Sequence, residues 1–269
     1  MEPYRKSHFF GLKILGKKYM DYSWFQFFPG MTESKMQLFC FPHAGGDASL
    51  FHPWVEFMPS DISIYFCCFN KRLDRFQQVI PKNFSSLIHE LADEMGAVIN
   101  RPWAIFGHSM GGAVAHELVL ELFRRGVPQP SLLAISGCGA PQFHKIGTLH
   151  QLSDEELCQE LIRLDESNAN ILSQPEIRKL ILPAIRADYR LIENYRSIPT
   201  DILSCPLAVF WGTEDWELTE EAVSGWKVWS KGEVHQRSFS GGHFYLNHHR
   251  EAVVSTLCEL LLSKINRVL

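Results

Sequence analysis

The stretch that decides the fold is Trp103-Ala104-Ile105-Phe106-Gly107-His108-Ser109-Met110-Gly111-Gly112-Ala113. Four apolar residues run into Gly-x-Ser-x-Gly, and Ala113-Val114-Ala115-His116-Glu117-Leu118 follows with the composition of a helix. The pattern predicts a strand, a tight turn carrying Ser109, and a helix over 111–124. Such a turn strains the backbone at the serine. Side chains on its flanks would clash, so glycine is needed there. The turn exposes the hydroxyl, and the helix N-terminus favours negative charge beside it. The competing reading is a glycine-rich turn that merely packs a helix on a strand.

Outward from this turn, short apolar runs alternate with helical ones. Strands are expected at Gln37–Phe41, Ile64–Phe69, Trp103–Phe106, Leu132–Ser136, Leu207–Trp211 and His235–Phe239. Helices are expected at Ser49–Met58, Phe84–Ile99, Gly111–Arg124, Glu220–Trp229 and Glu251–Ile265. The alternation implies a mostly parallel sheet with helices on both faces. From about Ala140 to Pro199 no strand is legible. That block reads as helices at Ser153–Leu164, Pro175–Pro183 and Ala184–Tyr195, the first opened by Ser153 with acids in its first turn. Inserted into a sheet protein, it reads as a lid over the active site, or else as a small structural domain. Leu161, Leu164, Ile171 and Leu180 either line a pocket beneath it or simply pack its helices.

A serine nucleophile needs a base, and the base needs an orienting acid. On a strand–turn–helix serine the chain order is Ser, acid, His. Gly212-Thr213-Glu214-Asp215 follows the strand at 207–211, so Asp215 is the candidate acid, with Glu214 and Glu217 as alternatives. Ser240-Gly241-Gly242-His243-Phe244 follows the next strand and presents His243 as the base. His248 and His249 read as surface residues, and His235 as the start of a strand. Two backbone N–H groups must hold the oxyanion. Met110, after the nucleophile, is one. Ala44 is the other, in Phe41-Pro42-His43-Ala44-Gly45-Gly46-Asp47 after the first strand of the regular pattern.

Composition bounds the remainder. The chain has 269 residues, 46% hydrophobic and 21% charged, which excludes a mainly disordered chain. A net charge of −4 lacks the basic excess of a nucleic-acid binder. No apolar run reaches the roughly 18 residues of a membrane span. The seven cysteines are scattered, with no Cys-x-x-Cys pair, and read as buried reduced thiols of a cytoplasmic protein. Residues 1–35 stand apart: lysines and arginines break short apolar clusters, then Tyr22-Ser23-Trp24-Phe25-Gln26-Phe27-Phe28 precedes Pro29-Gly30. This extension is an added strand, a loose tail, or a segment upstream of a start at Met31 or Met36. The alternation Tyr22, Trp24, Gln26, Phe28 favours the strand.

Taken together, the chain from about Met36 to Leu262 resembles the type II thioesterases of non-ribosomal peptide and polyketide synthesis. The likeness rests on Phe41–Gly46, Phe106–Gly112, Leu152–Leu157 (Leu-Ser-Asp-Glu-Glu-Leu), Leu182–Tyr189 (Leu-Pro-Ala-Ile-Arg-Ala-Asp-Tyr) and Gly241–Leu246. Two of these lie in the helical block, which separates this family from serine hydrolases at large. The resemblance implies an α/β-hydrolase fold over 36–269 with a helical lid at about 140–199. It also implies a triad of Ser109, Asp215 and His243, with Ala44 and Met110 as the oxyanion hole. The implied substrates are acyl groups on the phosphopantetheine arm of acyl- or peptidyl-carrier proteins, cleared by a monomer that needs no metal or nucleotide. The chain departs from the family at Asn70-Lys71, where Pro-Gly is usual, and at Asp165-Glu166, where a glycine pair is usual. Two further readings remain: a general esterase or acyltransferase with the same triad, and a non-catalytic binding protein.

Overall fold

Every residue of the strands Met36–Phe41, Trp103–His108 and Leu132–Ser136 is buried, which is why each reads as a mostly apolar run rather than an alternating one. The computed structural model describes residues 24–28, 34–69, 81–144, 146–197 and 202–265. Its sheet comprises β1 (Phe25–Phe28), β2 (Met36–Phe41), β3 (Ile62–Cys67), β4 (Trp103–His108), β5 (Leu132–Ser136), β6 (Leu207–Gly212) and β7 (Val234–Phe239). The order is β1-β3-β2-β4-β5-β6-β7, with β1 antiparallel to β3 and the other pairings parallel. Alternate strand residues feed two cores. Phe39, Ile105, Leu133 and Val209 face α1 (Phe84–Val98) and α2 (Met110–Arg124). Leu38, Phe106, Ala134 and Phe210 face Trp54 and the Val253, Val254, Leu257 and Leu261 stripe of the C-terminal helix Arg250–Ile265.

The 140–197 block carries no strand among its described residues. It holds α3 (Asp154–Leu164), α4 (Asn168–Leu172) and α5 (Pro175–Glu193). A capping box starts α3: Ser153 Oγ accepts the Glu156 N–H, and the Glu156 carboxylate accepts the Ser153 N–H. Such a cap stabilises a helix start by about 1 kcal/mol. Leu157 and Leu161 of α3 then pack on Leu182 and Ile185 of α5 in a core of their own. The chain closes through α6 (Glu220–Ser224), α7 (Tyr245–His248) and α8 (Arg250–Ile265).

Three expectations are corrected. The segment 49–58 forms two short 3-10 helices, Ala48–Leu50 and His52–Phe57, not one α-helix, because Pro53 and the buried Phe51 and Trp54 set tighter turns. Pro183 does not divide α5. It removes one ladder bond to Lys179, but both residues lie on the exposed face, where water replaces the lost donor. The helix expected at Glu220–Trp229 tightens into a 3-10 turn from Gly225.

The aromatic run does add a strand, β1. Phe25 is buried in it, edge-on to Phe39 and Phe41 at 5.5 and 5.8 Å, while Gln26 and Phe27 are exposed. The Trp24 N–H is fixed by Glu94 of α1 at 2.8 Å. Tyr22, Asn70 and Lys71 lie outside the described residues. All seven cysteines are buried and unbridged.

Candidate active site

Ser109 has φ 56° and ψ −121° and is the one non-glycine with positive φ among the described residues. Such a conformation costs on the order of 1–3 kcal/mol and persists only where its surroundings enforce it. Here the enforcement is visible. The Ser109 N–H donates to the Ser136 carbonyl at 2.8 Å, and the Gly112 N–H donates to the Ser109 carbonyl at 2.8 Å. A Cβ on Gly107 would lie 2.0 Å from the Gly111 carbonyl oxygen, and one on Gly111 would lie 2.2 Å from the Phe41 carbonyl oxygen. Both glycines are therefore steric requirements, and the second presses the end of β2 against the start of α2. Met110 opens that helix, so its N–H lies outside the helical ladder.

The loop after β2 is clamped by α5. The Gly45 N–H donates to Asp188 Oδ2 at 2.9 Å, and Asp188 is 2% exposed. Gly45 has φ 77°, and a Cβ there would meet Ile185 Cγ1 at 2.4 Å. One turn of α5 thus sets the path of the loop that carries Ala44. Ala44, Ser109 and His243 line one cleft of about 600 Å³, within the usual range for a small-molecule site.

His243 Nδ1 lies 2.8 Å from Asp215 Oδ2, and both residues are buried. The loops that bring them together are packed backbone to backbone: a Cβ on Gly212 would sit 2.3 Å from the Gly241 carbonyl oxygen, and the Glu214 N–H donates to that same oxygen at 2.9 Å. Asp215 Oδ1 accepts the Glu217 N–H at 3.1 Å, which fixes the carboxylate plane. Of the three acids open from sequence, Asp215 takes the imidazole. Glu217 is second, its Oε2 3.6 Å from the same nitrogen. Asp215, Glu217 and His243 bring ligand-type atoms within 4.8 Å of one another. With Nδ1 facing Asp215, they form an imidazole flanked by two carboxylates.

Three histidine rings cluster here, and electrostatics separates them. Burial pushes His43 down to about 4, with the His243 charge adding to it. Burial also holds His108 well below the usual histidine range. At His243 burial acts downward as well, but the Asp215 hydrogen bond and the charges of Asp215 and Glu217 outweigh it, and the result is a raised value. His243 is thus the ring in this cluster suited to accept and hold a proton.

Comparison with known proteins places the chain in a family. The family model described as "Thioesterase domain" matches residues 36–261. The chain belongs to the thioesterase family. It is 30% identical over 231 residues to the gramicidin S biosynthesis protein GrsT of Aneurinibacillus migulanus, covering 86% of this chain and 90% of that one. It is 32% identical over 238 residues to a Streptomyces griseus protein named "Probable cadicidin biosynthesis thioesterase", covering 88% of this chain and 66% of that one. Among solved structures, the type II thioesterase BorB from the borrelidin biosynthetic cluster superposes with a TM-score of 0.81 at 33% identity, over 88% of this chain and 97% of that one. The fold is that of the α/β-hydrolases, with a mostly parallel sheet of seven strands flanked by helices.

In this thioesterase the helical block forms one wall of the cleft. Leu161, Leu164, Ile171 and Leu180 all line it, which joins the two readings left open for them: Leu161 also packs the lid core, whereas Ile171 and Leu180 are 48% and 69% exposed. The loop clamp by Asp188 was not legible as such, although its residue lies in the family-like stretch Leu182–Tyr189. The polar contacts beneath Ser109 were also missed. His108 Nδ1 lies 2.9 Å from Ser136 Oγ, which lies 2.6 Å from Tyr245 Oη, all three buried. Their signal is positional: His108 and Tyr245 sit next to turns that the sequence already marks, and Ser136 ends an expected strand. His248 and His249 flank the break between α7 and α8, and His249 Nε2 lies 2.8 Å from Ser240 Oγ. No described helix is long and apolar enough to cross a membrane.

The raised His243 sets a pH dependence. A general base works as the neutral imidazole, so activity should be lost as pH falls through a pKa above the ordinary 6.5. A kcat/KM–pH profile should place the acid limb above that value. Asp215→Asn, which removes the larger of the two stabilising charges, should move the limb to lower pH.

Proposed function

We propose that the protein hydrolyses acyl thioesters on the phosphopantetheine arm of carrier proteins, and that it serves a non-ribosomal peptide or polyketide synthase by clearing stalled or misprimed acyl groups. The observation that carries the chemistry is the pairing of a buried, raised imidazole with Asp215 in the cleft that holds the strained Ser109. The biosynthetic pathways of the relatives support the pathway assignment.

In the proposed mechanism His243 takes the Ser109 proton as Oγ attacks the thioester carbonyl. The N–H groups of Ala44 and Met110 receive the oxyanion. His243 then gives its proton to the departing pantetheine sulfur, leaving the acyl group on Ser109. Water enters, His243 removes its proton, and collapse of the second tetrahedral intermediate releases the acid and restores the serine. Asp215 holds the Nδ1–H tautomer and stabilises the imidazolium. The oxyanion donors are fixed in advance, one by the helix start and one by the loop held against α5, so little reorganisation is needed when charge develops.

The test compares one acyl group in two settings, loaded on a carrier protein and as a small oxygen ester. A kcat/KM advantage of about tenfold or more for the carrier-bound thioester is expected, since remote binding of the arm and carrier is used at the transition state. Preference for the free ester would instead support a general esterase. Rapid transfer to an added amine or alcohol in place of water would support an acyltransferase.

A further inference from the structure

The loop that supplies Asp215 places a second carboxylate on the cleft wall, and the mechanism above leaves it without a task. Glu217 lines the cleft with Ser109, His243, Leu161, Ile185 and Tyr189, and its side chain is 35% exposed. Among the described residues, His243 is its one ion-pair partner within 4 Å, and that nitrogen lies closer to Asp215. The other charges bearing on it are Asp215 itself and Arg163 and Glu160 of α3. Arg163 and Glu160 pair with each other at 2.7 Å, so their fields largely offset. Burial in the cleft pushes the Glu217 carboxyl up, with the Asp215 charge adding to it. Tyr189 across the cleft is likewise pushed up, by burial first and by the Glu217 charge second. The wall therefore carries a partly desolvated carboxylate, short of a cation, beside the base.

We propose that Glu217 is a specificity-determining residue that receives the α-ammonium group of an aminoacyl thioester, so that the cleft favours aminoacyl over plain acyl loads. The inference rests on the thioesterase reading given above. The reacting carbonyl carbon must sit between Ser109 and His243. An α-ammonium nitrogen is two bonds from that carbon, in the cleft whose wall the Glu217 carboxylate also lines. The α side chain is then left to the apolar wall of Leu161 and Ile185. An acyl chain without the amine offers this part-exposed carboxylate no partner, whereas an ammonium group gains a charge-assisted contact there. Asp215 does not take this role: one oxygen holds His243, the other accepts the Glu217 N–H, and its side chain is fully buried.

The experiment loads one carrier protein with leucyl or with 4-methylpentanoyl groups, which differ only by the ammonium. It measures kcat/KM for native protein, Glu217→Gln and Glu217→Lys at one pH. The readout is the leucyl to 4-methylpentanoyl ratio. Comparing this ratio between native protein and variant cancels the intrinsic lability of the two thioesters and any common effect through His243. A fall of about tenfold in the ratio is expected for Glu217→Gln, the scale of one charge-assisted contact, with a larger fall for Glu217→Lys. An unchanged ratio in both variants, whether or not the absolute rates drop together, would overturn the assignment. Hydrolysis of neither thioester by native protein would remove the thioesterase reading, and this inference with it.

Discussion

Ser109→Ala is expected to lower the deacylation of a loaded carrier protein by about 10⁴-fold or more, because the nucleophile, base and acid act as a unit. A residual rate above the uncatalysed one should survive, since the oxyanion donors and the cleft remain. The fold should survive too. The strain at residue 109 is a backbone property enforced by the bonds from Ser109 N–H to Ser136 and from Gly112 N–H to Ser109, and alanine carries the same Cβ. A native-like unfolding midpoint with activity abolished would separate chemistry from stability. Time-resolved intact-mass measurement of the carrier protein reads the loss directly.

Asp215→Asn should lower kcat by about 10⁴-fold, the cost of an imidazole presented in the wrong tautomer, with a much smaller change in KM. Asp215 is fully buried behind His243, so the substitution removes no contact with substrate. Glu217 sharpens this test. Its Oε2 is 3.6 Å from His243 Nδ1 and offers a second acceptor if the first is deleted rather than replaced. Asp215→Ala opens the space for that carboxylate to approach. Asp215→Asn keeps the space filled and turns an amide donor on the ring. The alanine variant should therefore retain more activity than the asparagine variant, and the difference should vanish when Glu217→Gln is added.

The parts of the fold that were legible in sequence are those where local chemistry and tertiary environment agree. Central strands β2, β4 and β5 are buried on both faces, and their apolar runs say so without help from the rest of the chain. The turn at Ser109 was legible because the clash at Gly107, with the Gly111 carbonyl, is local and glycine relieves it; the clash at Gly111 is with Phe41 of β2 and shows only in the fold. Asp215 and His243 were singled out by their place after strands, since the ends of parallel strands share one edge of the sheet, and the two side chains lie 2.8 Å apart.

What escaped the sequence depends on contacts between distant segments. The alternation of Tyr22, Trp24, Gln26 and Phe28 suggested a strand but not its partner: β1 pairs with β3, and Phe25 packs onto Phe39 and Phe41. Pro183 looked like a helix boundary because the sequence does not show that its side of α5 faces water. Asp188 is separated from Gly45 by 143 residues, so nothing local marks it as the clamp on the loop that carries Ala44. Glu217 entered as a stand-in for Asp215. Only the assembled cleft shows a carboxylate on the wall, beside the base.

Fluorophosphonate labelling with peptide mass mapping tests the central claim most directly, that Ser109 is the nucleophile activated by His243. The account predicts a single adduct on the peptide containing Ser109, absent from Ser109→Ala and strongly slowed in His243→Ala. An adduct on another residue of the native protein, or undiminished labelling of Ser109→Ala, would contradict it.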